Sequence, residues 1–334
     1  MTSEPTWWSR IAAADARLFL FLGLGVICLA VLSLMVGPAG FGLPHGEGAA
    51  ALILTEIRLP RTLLAALTGA ALALSGAALQ GYLRNPLAEP GIIGVSSGAG
   101  LGAVLAIHSG MSATFALALP LGGLAGAAVA TLVVLALAGE RGGALTLILA
   151  GVAVSSVATA LISLVLSLSE NPFAAVEIIF WLLGSLADRS MTHVWLAGPL
   201  MLTGMAVLLM LGRSLDAMTL GEDAARNLGV DLARVRYLIV AGTALSVGAA
   251  TAIVGTIAFV GLVVPHVLRP LVGHAPSRLL PASLLGGAAL VLASDIVLRI
   301  FTPGGELRLG VLTALLGAPF FLWLVLKTRA ELAP

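Results

Sequence analysis

The chain has 334 residues, 59% of them hydrophobic, with a mean hydropathy of +1.10 and a formal net charge of only +1. That composition lies outside the soluble class, and its long, uniformly apolar runs are unlike the alternating segments of a transmembrane barrel, so the chain reads as a polytopic helical membrane protein. With 17 basic and 16 acidic residues it carries no electrostatic footprint for nucleic acid.

Residues 1–17 are polar, with Trp7 and Trp8 placed as interfacial anchors, and 18–36 form the first apolar run. This run is longer than the core of a signal peptide and reads as a first span. Cys28 lies within it; as a lone cysteine it can make neither an internal disulfide nor a metal cluster, and it reads as a small core hydrophobe. A Gly/Pro-rich loop over 37–56 leads to Arg58-Leu59-Pro60-Arg61, followed by apolar segments at 62–82, 91–107, 114–138 and 144–168. Residues 169–192 mix Glu170, Glu177, Asp188 and Arg189 with an apolar 178–183, which suits a re-entrant or surface helix better than a span. Further spans fall at 193–212, 235–254, 256–272, 279–300 and 307–327, which makes about ten at roughly 20 residues each.

Ten spans put both termini on one side. With that side cytoplasmic, twelve of the 17 basic residues, among them Arg84, Arg141, Arg213, Arg269 and Lys327, lie inside. Arg58, Arg61, Arg189, Arg299 and Arg308 lie outside, so cytoplasmic termini are favoured. The longest charged interruption, 213–236, then faces the cytoplasm. Within it Leu215, Met218, Leu220, Leu228 and Val230 are spaced for two short helices broken near Gly221 and Gly229, a handle for a soluble partner. Lys327 is the one lysine and no P-loop surrounds it, so any ATP is hydrolysed by another chain.

The densest motif follows the second span: Leu79-Gln80, then Arg84-Asn85-Pro86-Leu87-Ala88-Glu89-Pro90. Pro86 and Pro90 force a non-helical turn, and Asn85 can bond the freed backbone. Such a turn at membrane depth must be buried in protein or line a cavity; an ordinary helix-helix turn is the plainer reading. Gly94-Val95-Ser96-Ser97-Gly98 formally matches a serine nucleophile elbow, with His266 as the conceivable base, but no strand precedes it. Gly98, Gly102, Gly122 and Gly126 instead suggest close helix packing. His45, His108, His193 and His274 make no metal-ligand spacing. The span interiors hold essentially only Asp295, near an end and four residues before Arg299, too little acidity for an ion-coupled secondary transporter.

These motifs, together with Gly255-Thr256-Ile257-Ala258-Phe259-Val260-Gly261-Leu262-Val263-Val264-Pro265-His266 and Leu307-Arg308-Leu309-Gly310-Val311-Leu312-Thr313-Ala314-Leu315-Leu316-Gly317-Ala318-Pro319, resemble the FecCD-type, BtuC-like permeases of bacterial ABC importers. The resemblance runs in order over nearly the whole chain. It implies one all-α permease domain over 1–334 with about ten helices, a multi-pass protein of the bacterial inner membrane. It implies further a homodimer, two cytoplasmic ABC ATPase subunits that hold the Mg-ATP, and a periplasmic substrate-binding protein. No cofactor is expected on this chain.

Residue by residue, the resemblance assigns ATPase coupling to about 215–231, with Leu220, Gly221, Glu222, Asp223, Ala225, Arg226, Leu228 and Gly229 at its centre. It assigns binding-protein docking to Arg58, Arg61 and Arg299, and a cytoplasmic gate to Asn85, Pro86 and Leu87. Leu145 and Thr146 join the gate by position alone. Residues 178–190 and 90–98 resemble haem importers more than siderophore importers. The implied cargo is therefore an iron chelate, haem first, with siderophore iron or cobalamin as the alternative.

Overall fold

The computed structural model describes residues 7–37, 40–42, 49–139, 142–302 and 307–332; His45 and Arg141 lie outside the described residues. The first helix, α1, spans Trp7–Met35 and ends in a short antiparallel pair, β1 Val36–Gly37 and β2 Gly40–Phe41. Next come α2 Ala49–Leu83, α3 Val95–His108, α4 Ala118–Ala138, α5 Ala144–Ser167 and α6 Pro172–Leu182. After these lie α7 Met191–Met210, α8 Gly212–Met218 and α9 Glu222–Asn227. Last are α10 Leu232–Val254, α11 Val260–Val272, α12 Pro276–Phe301 and α13 Leu309–Leu332.

Among the described residues eight helices are long and apolar enough to cross a membrane. The shorter apolar helices α3 and α11 occupy the positions of the expected spans 91–107 and 256–272, which accounts for ten. Helix α6 is the short element expected at 169–192; Asn171 caps it by accepting from the Phe173 N–H, and Ile178 and Trp181 bury its inner face.

Three expectations change. The loop over 37–56 is already helical from Ala49, because Ala49 to Leu52 are strong helix formers that run into α2 through a π turn at Ile53–Arg58. Cys28 is exposed on α1 rather than in the core. Residues 255–259 are not helical: Gly255 (φ +76°) and Phe259 (φ +67°) bracket a break, and α11 starts only at Val260.

The core is built around α2, most of which is buried. It lies along α12 so closely that a Cβ on Gly69 would strike the Gly287 carbonyl, and one on Gly287 the Gly69 carbonyl. Helices α3 and α4 meet in the same way through Gly102 and Gly122, as the glycine pattern anticipated. A second cluster of Ala103, Val104, Ile107, Ile178 and Trp181 seats α6 against α3.

Contacts gather the charged residues at two opposite ends. One end joins Gln80 to Arg269, Asp216 to Ser277 and Arg236 to the Gly142 carbonyl. The other joins Arg58, Arg61, Asp295 and Arg299. For Arg236 and Arg269 on one side and Arg58, Arg61 and Arg299 on the other, this is the grouping read from the sequence.

Candidate functional site

At the first end the 212–231 segment is a braced, outward-facing pair of short helices. Leu215 and Met218 of α8 and Ala225 of α9 are buried, which fixes the segment to the bundle. Leu220 and Leu228 point away from it, 69% and 65% exposed. Gly221 (φ +106°) and Gly229 (φ +84°) supply the left-handed turns on either side of α9, as their positions suggested. Arg226 pairs with Asp223 at 3.1 Å and with Glu222 at 3.7 Å along α9. Asp231 then caps α10 by accepting from the Arg234 N–H at 3.0 Å. Asp216, assigned no role from sequence, accepts from the Ser277 N–H at 2.8 Å and ties α8 to the start of α12. The result is a rigid knob with two apolar side chains and a charged rim, suited to a complementary cleft.

Beside it the chain turns between α2 and α3. Arg84 takes the left-handed conformation (φ +48°), and the Asn85 side chain accepts from the Leu87 N–H at 2.9 Å. Asn85 and Pro86 are exposed and Leu87 is half-buried. Glu89 accepts from the Phe259 N–H at 2.7 Å. Burial pushes its carboxyl above the usual carboxylate range, and that hydrogen bond pulls it partly back. Leu145 is exposed and Thr146 half-buried at the start of α5, whose Gly151 meets the Ile92 carbonyl of the turn. Between turn and helix runs a groove of about 690 Å³ lined by Glu89, Ser155, Ser156, Thr159 and Ser163. The hydroxyl stripe on α5 was not singled out from sequence, although its spacing of three to four residues was available as a signal.

At the opposite end a recess of about 610 Å³ is lined by Glu56, Arg61, Asp188, Arg189, Asp295, Arg299 and Arg308, among others. The three arginines expected to dock a partner differ in geometry. Arg61 is 20% exposed at its side chain and holds Asp295 in a forked pair at 2.7 to 3.1 Å. Arg58 and Arg299 are buried instead. Arg58 donates to the Leu34 and Gly42 carbonyls at 2.7 and 2.8 Å, and Arg299 donates to those of Ser33 and Val36 at 2.8 Å. Arg299 also pairs with Asp295 at 2.9 Å, the helical pairing expected from their spacing. Both guanidiniums satisfy backbone carbonyls at the end of α1 that have no helical partner, and Arg58 also that of Gly42 beyond β2, so both are engaged within the chain.

The serine-elbow reading finds no support in the geometry. Ser96 accepts from Thr251 at 3.3 Å, and His266 packs edge-on against Phe320 at 5.6 Å; among the described residues no hydrogen bond joins either serine to His266.

The chain matches the model of the FecCD transport family over residues 19–327. It is 40% identical over 320 residues to the vitamin B12 import system permease protein BtuC of Escherichia coli O9:H4, covering 91% of this chain and 95% of that one. The protein of the same name from Klebsiella pneumoniae is 39% identical over 320 residues, with 95% and 96% covered. Among solved structures, one described as an inward-facing metal-chelate type ABC transporter superposes with a TM-score of 0.85 at 36% identity, covering 93% of this chain and 99% of that one. The chain belongs to the FecCD transport family, as a multi-pass inner-membrane permease subunit of an ABC importer whose ATP is hydrolysed by a separate chain.

Proposed function

We propose that this permease imports a cobalamin-type metal chelate, as a homodimer with two cytoplasmic ATPase subunits and a periplasmic binding protein. The observation that carries the cargo is the 40% identity, over 91% of the chain, to permeases named for vitamin B12 import. It outweighs the resemblance of two short segments to haem importers, so cobalamin replaces haem as the preferred cargo. The groove between the 84–94 turn and α5 is compatible with this choice. It offers hydroxyls and one carboxylate but no cation, a lining that suits neutral amide groups at the rim of a corrin better than the carboxylates of haem.

In this reading both termini and the 212–231 segment are cytoplasmic, and Leu220 and Leu228 insert into the ATPase. Asn85, Pro86 and Leu87, with Leu145 and Thr146 at the start of α5, form the cytoplasmic gate. The recess around Arg61 receives the binding protein, with Arg58 and Arg299 supporting it from beneath. Arg61 already has a carboxylate partner in Asp295, so docking there orients the partner and speeds encounter more than it adds affinity.

The experiment is uptake by proteoliposomes holding the permease with its ATPase and binding protein, offered cobalamin, haem and a ferric siderophore in parallel. ATP-dependent accumulation of cobalamin is the expected result. Accumulation of haem or the siderophore without cobalamin would refute the cargo while leaving the importer intact.

A further inference from the structure

We propose that a chain of polar contacts, bridged by the backbone turn after α11, joins the 212–231 segment to the 84–94 turn, with Gln80 and Glu89 as positioning residues that make the turn and α11 one moving body. The inference rests on the coupling and gate roles proposed above, and adds the physical link between them.

Gln80 sits in the last turn of α2, 1% exposed. Its Nε2 donates to the Ala88 carbonyl at 3.1 Å and to the Gly261 carbonyl at 3.3 Å. Its Oε1 accepts from Arg269 Nη2 at 2.5 Å. One amide group thus ties together the turn and both halves of α11. Glu89 adds a second tie by accepting from Phe259, the residue that starts α11 in a left-handed conformation (φ +67°) a non-glycine residue adopts only with support. Packing reinforces both ties. A Cβ on Gly76 would strike the Gly261 carbonyl, and one on Gly261 would lie 2.8 Å from the Leu72 carbonyl and 2.5 Å from the Pro90 ring.

The other end of α11 leads to the coupling segment. After Arg269–Val272 the chain turns sharply through Gly273 (φ +66°) and His274 (φ +63°) and reaches Ser277, whose N–H donates to Asp216 of α8. A Cβ on Gly212 would sit 3.0 Å from the Ser277 Cα, so α8 cannot shift towards α12 without pushing it. A displacement of α8 therefore reaches Ser277, passes along the backbone turn before it, where the His274 N–H donates to the Arg269 carbonyl at 3.1 Å, and from Arg269 reaches Gln80 and then Ala88 in the turn. The side-chain ties at Gln80, Glu89, Arg269 and Asp216 are buried or half-buried, where a broken hydrogen bond leaves its partner unsatisfied and the element moves whole rather than deforming.

Stability loss alone would not separate this link from ordinary structural support, so the test reads distance and coupling. In a Cys28→Ser background, spin labels at Arg84→Cys and Leu271→Cys, both exposed positions, report the separation of the turn from the end of α11. The measurement is made in the reconstituted assembly with and without ATP. One unchanged distance through the cycle is expected. In Gln80→Leu the distribution should broaden, and uptake per ATP hydrolysed should fall by about tenfold. Glu89→Leu should do the same, whereas Glu89→Gln keeps a carbonyl acceptor for Phe259 and should restore the wild-type distance and ratio. Should Gln80→Leu fail to fold, the Glu89 pair carries the test. A wild-type distance that changes with nucleotide, or an unchanged distance in both Gln80→Leu and Glu89→Leu, would overturn the link. A broadened distance with full ATP-driven uptake would instead remove the gate role from the turn.

Discussion

Asp295 is 1% exposed and answers two arginines, Arg61 and Arg299. Removing one member of such a cluster leaves charge buried without compensation, at about 3–5 kcal/mol. Asp295→Ala should therefore lower thermal stability in detergent substantially, while Arg308→Ala in the same recess should change it little; equal effects would contradict the assignment. The sequence pattern contained half of this arrangement. The spacing of Asp295 and Arg299 is a local helical signal, but Arg61 lies 234 residues away and meets Asp295 only because α2 packs along α12. The burial of Arg58 and Arg299 was hidden for a related reason: their arginine identity is visible in the sequence, whereas the carbonyls of Ser33, Leu34 and Val36 that they serve are not.

Glu89 gives a pH signature. Its folded carboxyl is shifted upward by burial, so the protonated form is favoured in the fold, and that contribution is present below the unfolded pKa and lost as pH rises through the folded value. Relative to Glu89→Gln, the wild-type protein should gain thermal stability as the buffer goes from about pH 7 to about pH 4. Parallel profiles for the two proteins would contradict it.

Among elements, the helix contacts through glycine are the tightest constraint. Gly69→Val would drive a branched side chain into the Gly287 carbonyl; overpacking of this kind costs typically about 1–3 kcal/mol, and here the obstacle is backbone. Thermal unfolding should register at least that loss, and Gly25→Val on α1, where nothing lies within 4 Å, should not. The glycine stripes were legible because small residues at four-residue spacing have one main use in a membrane helix. The break at 255–259 was not, since an apolar run through Gly255 scores as span whether or not the backbone leaves the helix; Phe259 in a left-handed conformation has no sequence signal. The 212–231 segment was read as two short helices because Gly221 and Gly229 are punctuation with a known geometry. Leu220→Asp with Leu228→Asp should abolish ATPase binding in a pull-down and leave the melting temperature of the permease unchanged, both side chains being exposed. A lowered melting temperature would place them in the core instead.

For the whole molecule, composition and hydropathy were enough to identify a helical membrane bundle of about ten spans, and the charge pattern separated Arg236 and Arg269 from Arg58, Arg61 and Arg299 as their contacts do. The chelate is a different matter. The lining of the groove is set by Glu89 and the α5 hydroxyls, whose apposition depends on Gly151 meeting the Ile92 carbonyl, a tertiary contact with no local pattern. Cargo selection, force transfer and ATP use meet in a single observable, ATP-driven uptake by the reconstituted assembly of permease, ATPase and binding protein. Labelled cobalamin should accumulate with ATP in the wild-type assembly and should not when Leu220 and Leu228 are both aspartate; cobalamin left outside while haem or a ferric siderophore enters, or uptake undiminished in the double variant, would contradict it.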